Sequence, residues 1–258
     1  MARILAEKRQ AQITQMLVAD GHIKISTIVN EFHVSSETAR KDLIALEQRG
    51  VARKTHGGAV VVDNYFTGSN VFLNRRMERN ISSKRAIARA AVNLVSDNST
   101  VILDSGSTTY WLAEELLAKK NITVVTNSLT AAIRLAENKV NVLALGGEVY
   151  PSNLAAVGQW VDLCLAGIQA DIAFIGASAL STSRGPCVEN FPEAHAKWKM
   201  MESAGRSYIV SDSSKFMNNA LVEYAAWERF DGLITDRGLP EEIFKELSAK
   251  VNIVFAEE

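Results

Sequence analysis

Rhythm is the strongest constraint in this chain. From residue 82 onward, short apolar runs at 101–103, 122–125, 140–145, 172–175, 208–210, 233–234 and 251–255 alternate with stretches of helical periodicity. Such alternation predicts an α/β domain built on a mostly parallel sheet, because a helix is the usual crossover between parallel strands.

The first 62 residues follow a different pattern. Ile13, Met16 and Leu17 fall on one helical face that begins near Leu5 and stops before Gly21. Ser26 offers an N-cap for a second short helix holding Ile28, Val29 and Phe32, and Ser35 and Ser36 offer a cap for a third. Ala39, Leu43 and Leu46 bury that third helix, and Gly50 ends it. Two β-prone runs then flank Gly57-Gly58, a hairpin signal. Three helices and a hairpin in this order outline a winged helix-turn-helix. Residues 63–81 lose periodicity and read as a linker to a second domain over 82–258, opened by a helix over 82–95.

Charge sorts the same way. The whole chain is nearly neutral, with 28 Lys+Arg and 29 Asp+Glu, but residues 1–62 carry nine basic side chains against six acidic ones. Only the N-terminal piece is suited to a polyanion. Its third helix is expected to expose Ser36, Glu37, Thr38, Arg40 and Lys41 beside the capping Ser35, with Arg53, Lys54 and His56 on the wing. Short hydroxyls at a helix start suit phosphates, and long cations suit guanine edges or the backbone of double-stranded DNA.

In the second domain several apolar runs stop on small or polar residues. Asp104-Ser105-Gly106-Ser107-Thr108-Thr109 follows one, Thr126-Asn127 another, Gly146-Gly147 a third, and Asp212-Ser213-Ser214-Lys215 a fourth. Ligands of open α/β sheets bind outside the carboxyl ends of the strands. The first of these segments opens a helix, so backbone N–H groups, the close approach that Gly106 permits, and the hydroxyls of Ser107, Thr108 and Thr109 suit a phosphate. Lys215 is the expected counter-charge, and Asp104 is suited to accept hydrogen bonds from sugar hydroxyls.

Other chemistries are excluded or thin. Cys164 and Cys187 cannot build a disulfide framework and are expected to be buried, reduced thiols. His22, His33, His56 and His195 show no ligand spacing, so neither metal nor cofactor is expected. Glu193 and His195, two apart on a helix, point in different directions. GxxxxGK[ST] and GxSxG are absent, and Gly176-Ala177-Ser178 only superficially suggests a dinucleotide loop. No catalytic residue is assigned. The early charges argue against a signal peptide, and no apolar stretch could span a bilayer, so a cytoplasmic protein without a membrane partner is expected.

These residues resemble the DeoR/GlpR family of bacterial transcription regulators. The likeness runs through Arg9-x3-Ile13-x3-Leu17, Val34-Ser35-Ser36-Glu37-Thr38-Ala39-Arg40-Lys41-Asp42-Leu43, and Leu46-Glu47-x2-Gly50-x2-Arg53-x2-Gly57-Gly58-Ala59. It continues through Lys84-Arg85-x-Ile87-Ala88, Leu103 to Thr109, Thr126-Asn127-Ser128, Gly146-Gly147, Glu193-Ala194 and Asp212 to Phe216. The resemblance implies a winged helix joined to a sensor similar to ribose-5-phosphate isomerase and glucosamine-6-phosphate deaminase. It further implies a repressor of a carbohydrate-utilisation operon, controlled by a small phosphorylated sugar and assembled as a homo-oligomer, dimer or tetramer. It adds Glu193 to the effector residues. An isomerase- or deaminase-like enzyme with an appended DNA-binding domain is the alternative. Against it, Phe174-Ile175-Gly176-Ala177-Ser178-Ala179 lacks the acidic residue and glycine common in the family at that place.

Overall fold

The computed structural model describes residues 6–20, 22–49, 51–55, 57–61 and 76–257. The chain divides into two compact units, Met1–Arg75 and Arg76–Glu258. Residues 76–81, which the sequence reading assigns to a linker, therefore belong to the second unit.

The first unit runs α1 (Ala6–Asp20), β1 (His22–Lys24), α2 (Ile25–Phe32), α3 (Ser36–Gln48), β2 (Ala52–Thr55) and β3 (Gly58–Val61). Ile13, Leu17, Ile28, Ala39, Leu43 and Leu46 meet in its core together with Ile23, Val51, Ala52 and Ala59. The i, i+4, i+7 spacing of the α3 residues is what puts them on one face. Two details depart from expectation. Strand β1, too short to show in the sequence, pairs with β3, giving a three-stranded antiparallel sheet in the order β1-β3-β2. Its last residue, Lys24, holds the N-cap position of α2, so Ser26 lies inside the first turn instead of capping it. The wing replaces the missing cap, because the Ile25 N–H donates to the Gly57 carbonyl at 2.9 Å.

Thr55 pairs with Gly58, so Gly58 belongs to strand β3 and not to the Gly57-Gly58 turn expected. Gly57 has φ +91°, and a Cβ on Gly58 would stand 2.1 Å from the Ile23 carbonyl oxygen. The first glycine supplies a left-handed turn conformation and the second a close strand approach.

The second unit opens with α4 (Ile81–Val92), then β4 (Thr100–Leu103), α5 (Ser107–Leu116), β5 (Thr123–Thr126), α6 (Leu129–Glu137) and β6 (Asn141–Ala144). A hairpin, β7 (Glu148–Tyr150) and β8 (Ala155–Val157), leads to α7 (Gln159–Leu165) and β9 (Ile172–Ile175). Strands β10 (Ala179–Ser181) and β11 (Gly185–Val188) precede α8 (Phe191–Glu202), β12 (Ser207–Val210) and β13 (Val222–Glu223). The unit ends with β14 (Gly232–Thr235), α9 (Glu241–Leu247) and β15 (Ile253–Phe255).

Seven strands form one parallel sheet, β15-β14-β12-β9-β4-β5-β6, and each corresponds to one of the apolar runs. Alternate strand residues face opposite layers. Ile102, Val125, Ala173, Ile175 and Ile209 pack with α7 and α8, whereas Val101, Leu103, Val124, Phe174 and Val210 pack with α4, α5 and α6. Chain order runs outward in both directions from β4, so the switch point lies between β4 and β9.

Candidate functional site

In the first unit the candidate interface is α3 with the wing. Ser35 is the N-cap of α3: its Oγ accepts from the Thr38 N–H at 3.2 Å and lies 2.9 Å from Thr38 Oγ1. With Ala39, Leu43 and Leu46 facing the core, Ser36, Glu37, Arg40 and Lys41 are exposed and Thr38 is half-buried. Glu37 and Lys41 form an exposed i, i+4 ion pair of 3.0 Å, and that hydrogen bond and charge hold the Glu37 carboxyl below its ordinary range. Such a surface pair contributes little to stability and is readily exchanged for an outside partner.

Arg53, Lys54 and Thr55 are exposed along β2, and the wing is tied to α3 by the Lys54 N–H donating to Glu47 Oε1 at 2.9 Å. His56 lies outside the described residues. Asp42 carries no structural signal of its own in the sequence. This buried carboxylate accepts from Arg9 Nε at 2.6 Å, Arg9 Nη2 at 3.1 Å and Gln10 Nε2 at 2.9 Å. The interaction fixes α3 against α1 by a charged contact inside an otherwise apolar core.

In the second unit a cleft of about 440 Å³, including its open mouth, lies beyond the carboxyl ends of β4 and β9. Gly106, at φ +152° and ψ 173°, is the N-cap of α5, a backbone conformation essentially confined to glycine. It turns the chain so that Ser107, Thr108 and Thr109 form the first turn and line the cleft. The leading N–H groups of a helix have no intrahelical acceptor, and the helix dipole adds positive potential there. The Thr109 hydroxyl closes the turn by donating to the Gly106 carbonyl at 3.1 Å.

The cleft gathers Ser105, Gly106, Ser107, Thr108, Thr109, Glu193 and Lys215 from the residues expected at an effector site. Asp104 sits behind them and is fully buried; its Oδ2 accepts from the Gly176 N–H at 2.9 Å and from the Lys197 ammonium. Thr126, Asn127, Gly146 and Gly147 do not line the cleft. Thr126 Oγ1 accepts from the Ser128 N–H at 3.0 Å, and Asn127 Nδ2 donates to the Ala156 carbonyl at 3.2 Å. A Cβ on Gly147 would stand 2.4 Å from the Val157 carbonyl oxygen, which explains that glycine by packing. A Cβ on Gly146 would meet open space.

Three cleft residues went unnoticed in the sequence: Arg76, Asn153 and Lys197. Lys197, on α8, is buried by its pairing with Asp104. Asn153 donates to Glu193 Oε1 at 3.0 Å and to Ser105 Oγ at 3.4 Å. Only the position of Lys197 one helical turn after Glu193 could have hinted at a shared face.

Burial pushes the Lys215 ammonium down, opposed by Asp212 and assisted by the nearby charges of Arg76 and Arg79. Burial also lowers Arg76, against the opposing pull of Glu193, Asp104 and Glu189. Desolvated cations beside a helix start favour an oxyanion, whereas the Asn153 amide and the Glu193 carboxylate, also in the lining, favour hydroxyls. His195 faces elsewhere: exposed, it contacts Asp162 at 2.9 Å. Cys164 corrects the sequence reading, being exposed on α7, while Cys187 is buried as expected. Among the described residues no group of His, Cys, Asp and Glu could hold a metal, and no helix is long and apolar enough to cross a membrane.

Comparison with known proteins follows this division of the chain. Residues 9–65 match the DeoR-like helix-turn-helix domain, and residues 79–237 match the DeoR C terminal sensor domain. The regulator GlpR of Haloferax volcanii is 31% identical, over 97% of this chain and 98% of its own length. The lactose phosphotransferase system repressor of Lactococcus lactis subsp. lactis is 30% identical, over 97% of this chain and 99% of its own. The L-fucose operon activator of Haemophilus influenzae is 31% identical, over 92% of this chain and 94% of its own. A solved ribose 5-phosphate isomerase from Methanocaldococcus jannaschii is 19% identical with TM-score 0.40, covering 53% of this chain and 54% of that one, a likeness too distant to argue from. By sequence match over both units, and by a helix-turn-helix followed by a parallel α/β domain, this chain belongs to the DeoR family of transcription regulators.

Proposed function

We propose that this regulator is a repressor of a carbohydrate-utilisation operon whose operator affinity is set by a small phosphorylated sugar in the β4–β9 cleft. One observation carries the effector half of this reading. The start of α5, with its three hydroxyls, faces Arg76 and Lys215 in a single cleft at the switch point of the sheet. The phosphate belongs on Ser107, Thr108 and Thr109 with Lys215 beside it; the sugar hydroxyls belong toward Glu193 and Asn153, with Asp104 fixing Lys197 behind. The relatives' names, a lactose phosphotransferase system repressor among them, support the carbohydrate half. Chemistry on the sugar is not part of this reading, because the relatives matched over nearly the whole chain are named as a transcriptional regulator and a repressor.

Arg40 and Lys41 of α3, with Arg53 and Lys54 of the wing, are the residues we assign to DNA. One winged helix reads a short half-site, so the working form is a homo-oligomer, with two copies related by symmetry on the operator. Light scattering under DNA-binding conditions is expected to exceed the 28.2 kDa of one chain.

The effector test is a thermal-shift screen of sugar phosphates beside their unphosphorylated parents. Phosphates alone are expected to stabilise the protein, and a Lys215→Ala, Thr108→Ala double variant is expected to lose the response. Equal stabilisation by the parents, or an undiminished response in the double variant, removes the anion site from this cleft.

A further inference from the structure

Three side chains at or behind the cleft each bury a polar atom that has no hydrogen-bond partner among the described residues: Nε of Arg76, Oδ1 of Asp104 and Oδ1 of Asn153. Asp104 and Asn153 are 0% and 4% exposed, so water does not satisfy them at the surface. A buried polar atom left unpaired costs free energy, and several at one cleft mark where a ligand's own groups complete the set. The two oxygens call for hydroxyl donors; the guanidinium N–H calls for an acceptor.

Arg76 differs from the other two in its place in the chain. It is the first residue of the second unit, directly after Arg75, the last of the first. Among the described residues it has no ion pair, although Glu193, Asp104 and Glu189 are near enough to act on its charge. The residue after it is anchored, because the Met77 carbonyl accepts from Trp111 Nε1 at 3.4 Å and Trp111 in turn lies 4.2 Å beneath the Arg85 guanidinium.

We propose that Arg76 is the residue through which an anion in the cleft is felt at the start of the sensor: the ligand's phosphate takes the Arg76 N–H donors and thereby restrains the backbone with which the second unit begins. This rests on the cleft being the ligand site and adds how its occupancy leaves the sensor. A guanidinium drawn onto an oxyanion by charge-assisted hydrogen bonds loses rotamer freedom, and its backbone loses freedom with it. The restraint is a coupling free energy, so anything that changes the freedom of this backbone changes the ligand's affinity by the same factor.

The test uses the full chain with inorganic phosphate, the group shared by all phosphorylated sugars, at millimolar concentrations. Thermal shift reads binding, and amide hydrogen exchange over peptides that report residues 76–80 reads the restraint. In the unmodified protein phosphate is expected to raise the melting temperature and slow exchange near residue 76. Arg76→Gln is expected to weaken phosphate about tenfold or more, as loss of a charged hydrogen bond implies. Its exchange should stay fast even when the weaker site is saturated. Thr108→Val should also weaken phosphate, yet at saturation exchange slows as in the unmodified protein. Arg76→Lys keeps the buried charge opposite Glu193 and serves if the neutral variant fails to fold; weaker binding and a smaller slowing are expected from it.

If Arg76→Gln or Arg76→Lys matches the unmodified protein in both readouts while Thr108→Val weakens binding, the role of Arg76 is wrong and the cleft stands. Slowed exchange in saturated Arg76→Gln also overturns the role. If phosphate does not stabilise the unmodified protein, the anion site falls and this inference with it.

Discussion

Arg9 and Asp42 are joined by two hydrogen bonds inside the first unit, Nε to Oδ2 at 2.6 Å and Nη2 to Oδ1 at 3.1 Å, with both side chains under one-tenth exposed. The pair pins α3 to α1. Removing one partner strands a buried charge, so Asp42→Ala is expected to destabilise this unit by about 3–5 kcal/mol. The double change Arg9→Met, Asp42→Leu should cost much less, because both charges leave together. Urea unfolding followed by a probe in the first unit distinguishes them; equal losses would mean the charges are not coupled.

For the exposed face of α3, Arg40→Ala and Lys41→Ala are expected to weaken operator binding by roughly 1–3 kcal/mol if the lost contact is to a base edge. If it is to phosphate, the loss should be the same on unrelated DNA and the salt slope should fall by about one. Gel shifts over a salt series separate the two. Unchanged affinity in both variants would put recognition on another surface.

The wing depends on Gly58. A methyl group there would meet the Ile23 carbonyl oxygen at 2.1 Å, a backbone atom that cannot swing aside. Gly58→Ala is therefore expected to part β1 from β3, with a loss on the order of 1–3 kcal/mol and weaker DNA binding. Full thermal stability in that variant would show that the sheet relaxes at little cost.

Burial pushes Lys84 down to about 8, against the pull of Asp212 and with the push of Lys215, Arg76 and Arg79. An unfolded chain keeps that proton to about 10.4. Between these limits the unfolded state binds more protons, so this group's contribution to stability rises with pH; below about 8 both states are charged and it is flat. The unfolding free energy of the unmodified protein should therefore climb relative to Lys84→Met over that window. A difference that stays level would place the Lys84 proton elsewhere.

The two thiols should differ in reactivity. Cys164 is exposed, whereas Cys187 is buried and its thiol pushed up by desolvation. A thiolate is the reacting species, so a disulfide reagent should label Cys164 in the native protein and Cys187 only after denaturation. Peptide mapping of the labelled chain reads this directly.

Much of the architecture was legible in the residues alone because its signals are local. An apolar run between helical stretches needs no distant partner to read as a buried parallel strand, and the seven runs are the seven strands of the main sheet. The cap at Ser35, the apolar face at Ala39, Leu43 and Leu46, and the hydroxyl turn at Ser107–Thr109 are equally local. Tertiary structure decided the rest. Strand β1 exists because β3 lies beside it, and the hairpin β7–β8 and the small sheet β10-β11-β13 are too short to announce themselves without their partners. The buried charges were the least legible. Asp42 is held by Arg9 from 33 residues away and Asp104 by Lys197 from 93, and Arg76, outwardly one more cation in a charged run, turns into the cleft. A charge can be buried only where an opposite charge or a set of dipoles waits for it, and that meeting is arranged by the fold, not by neighbours in sequence.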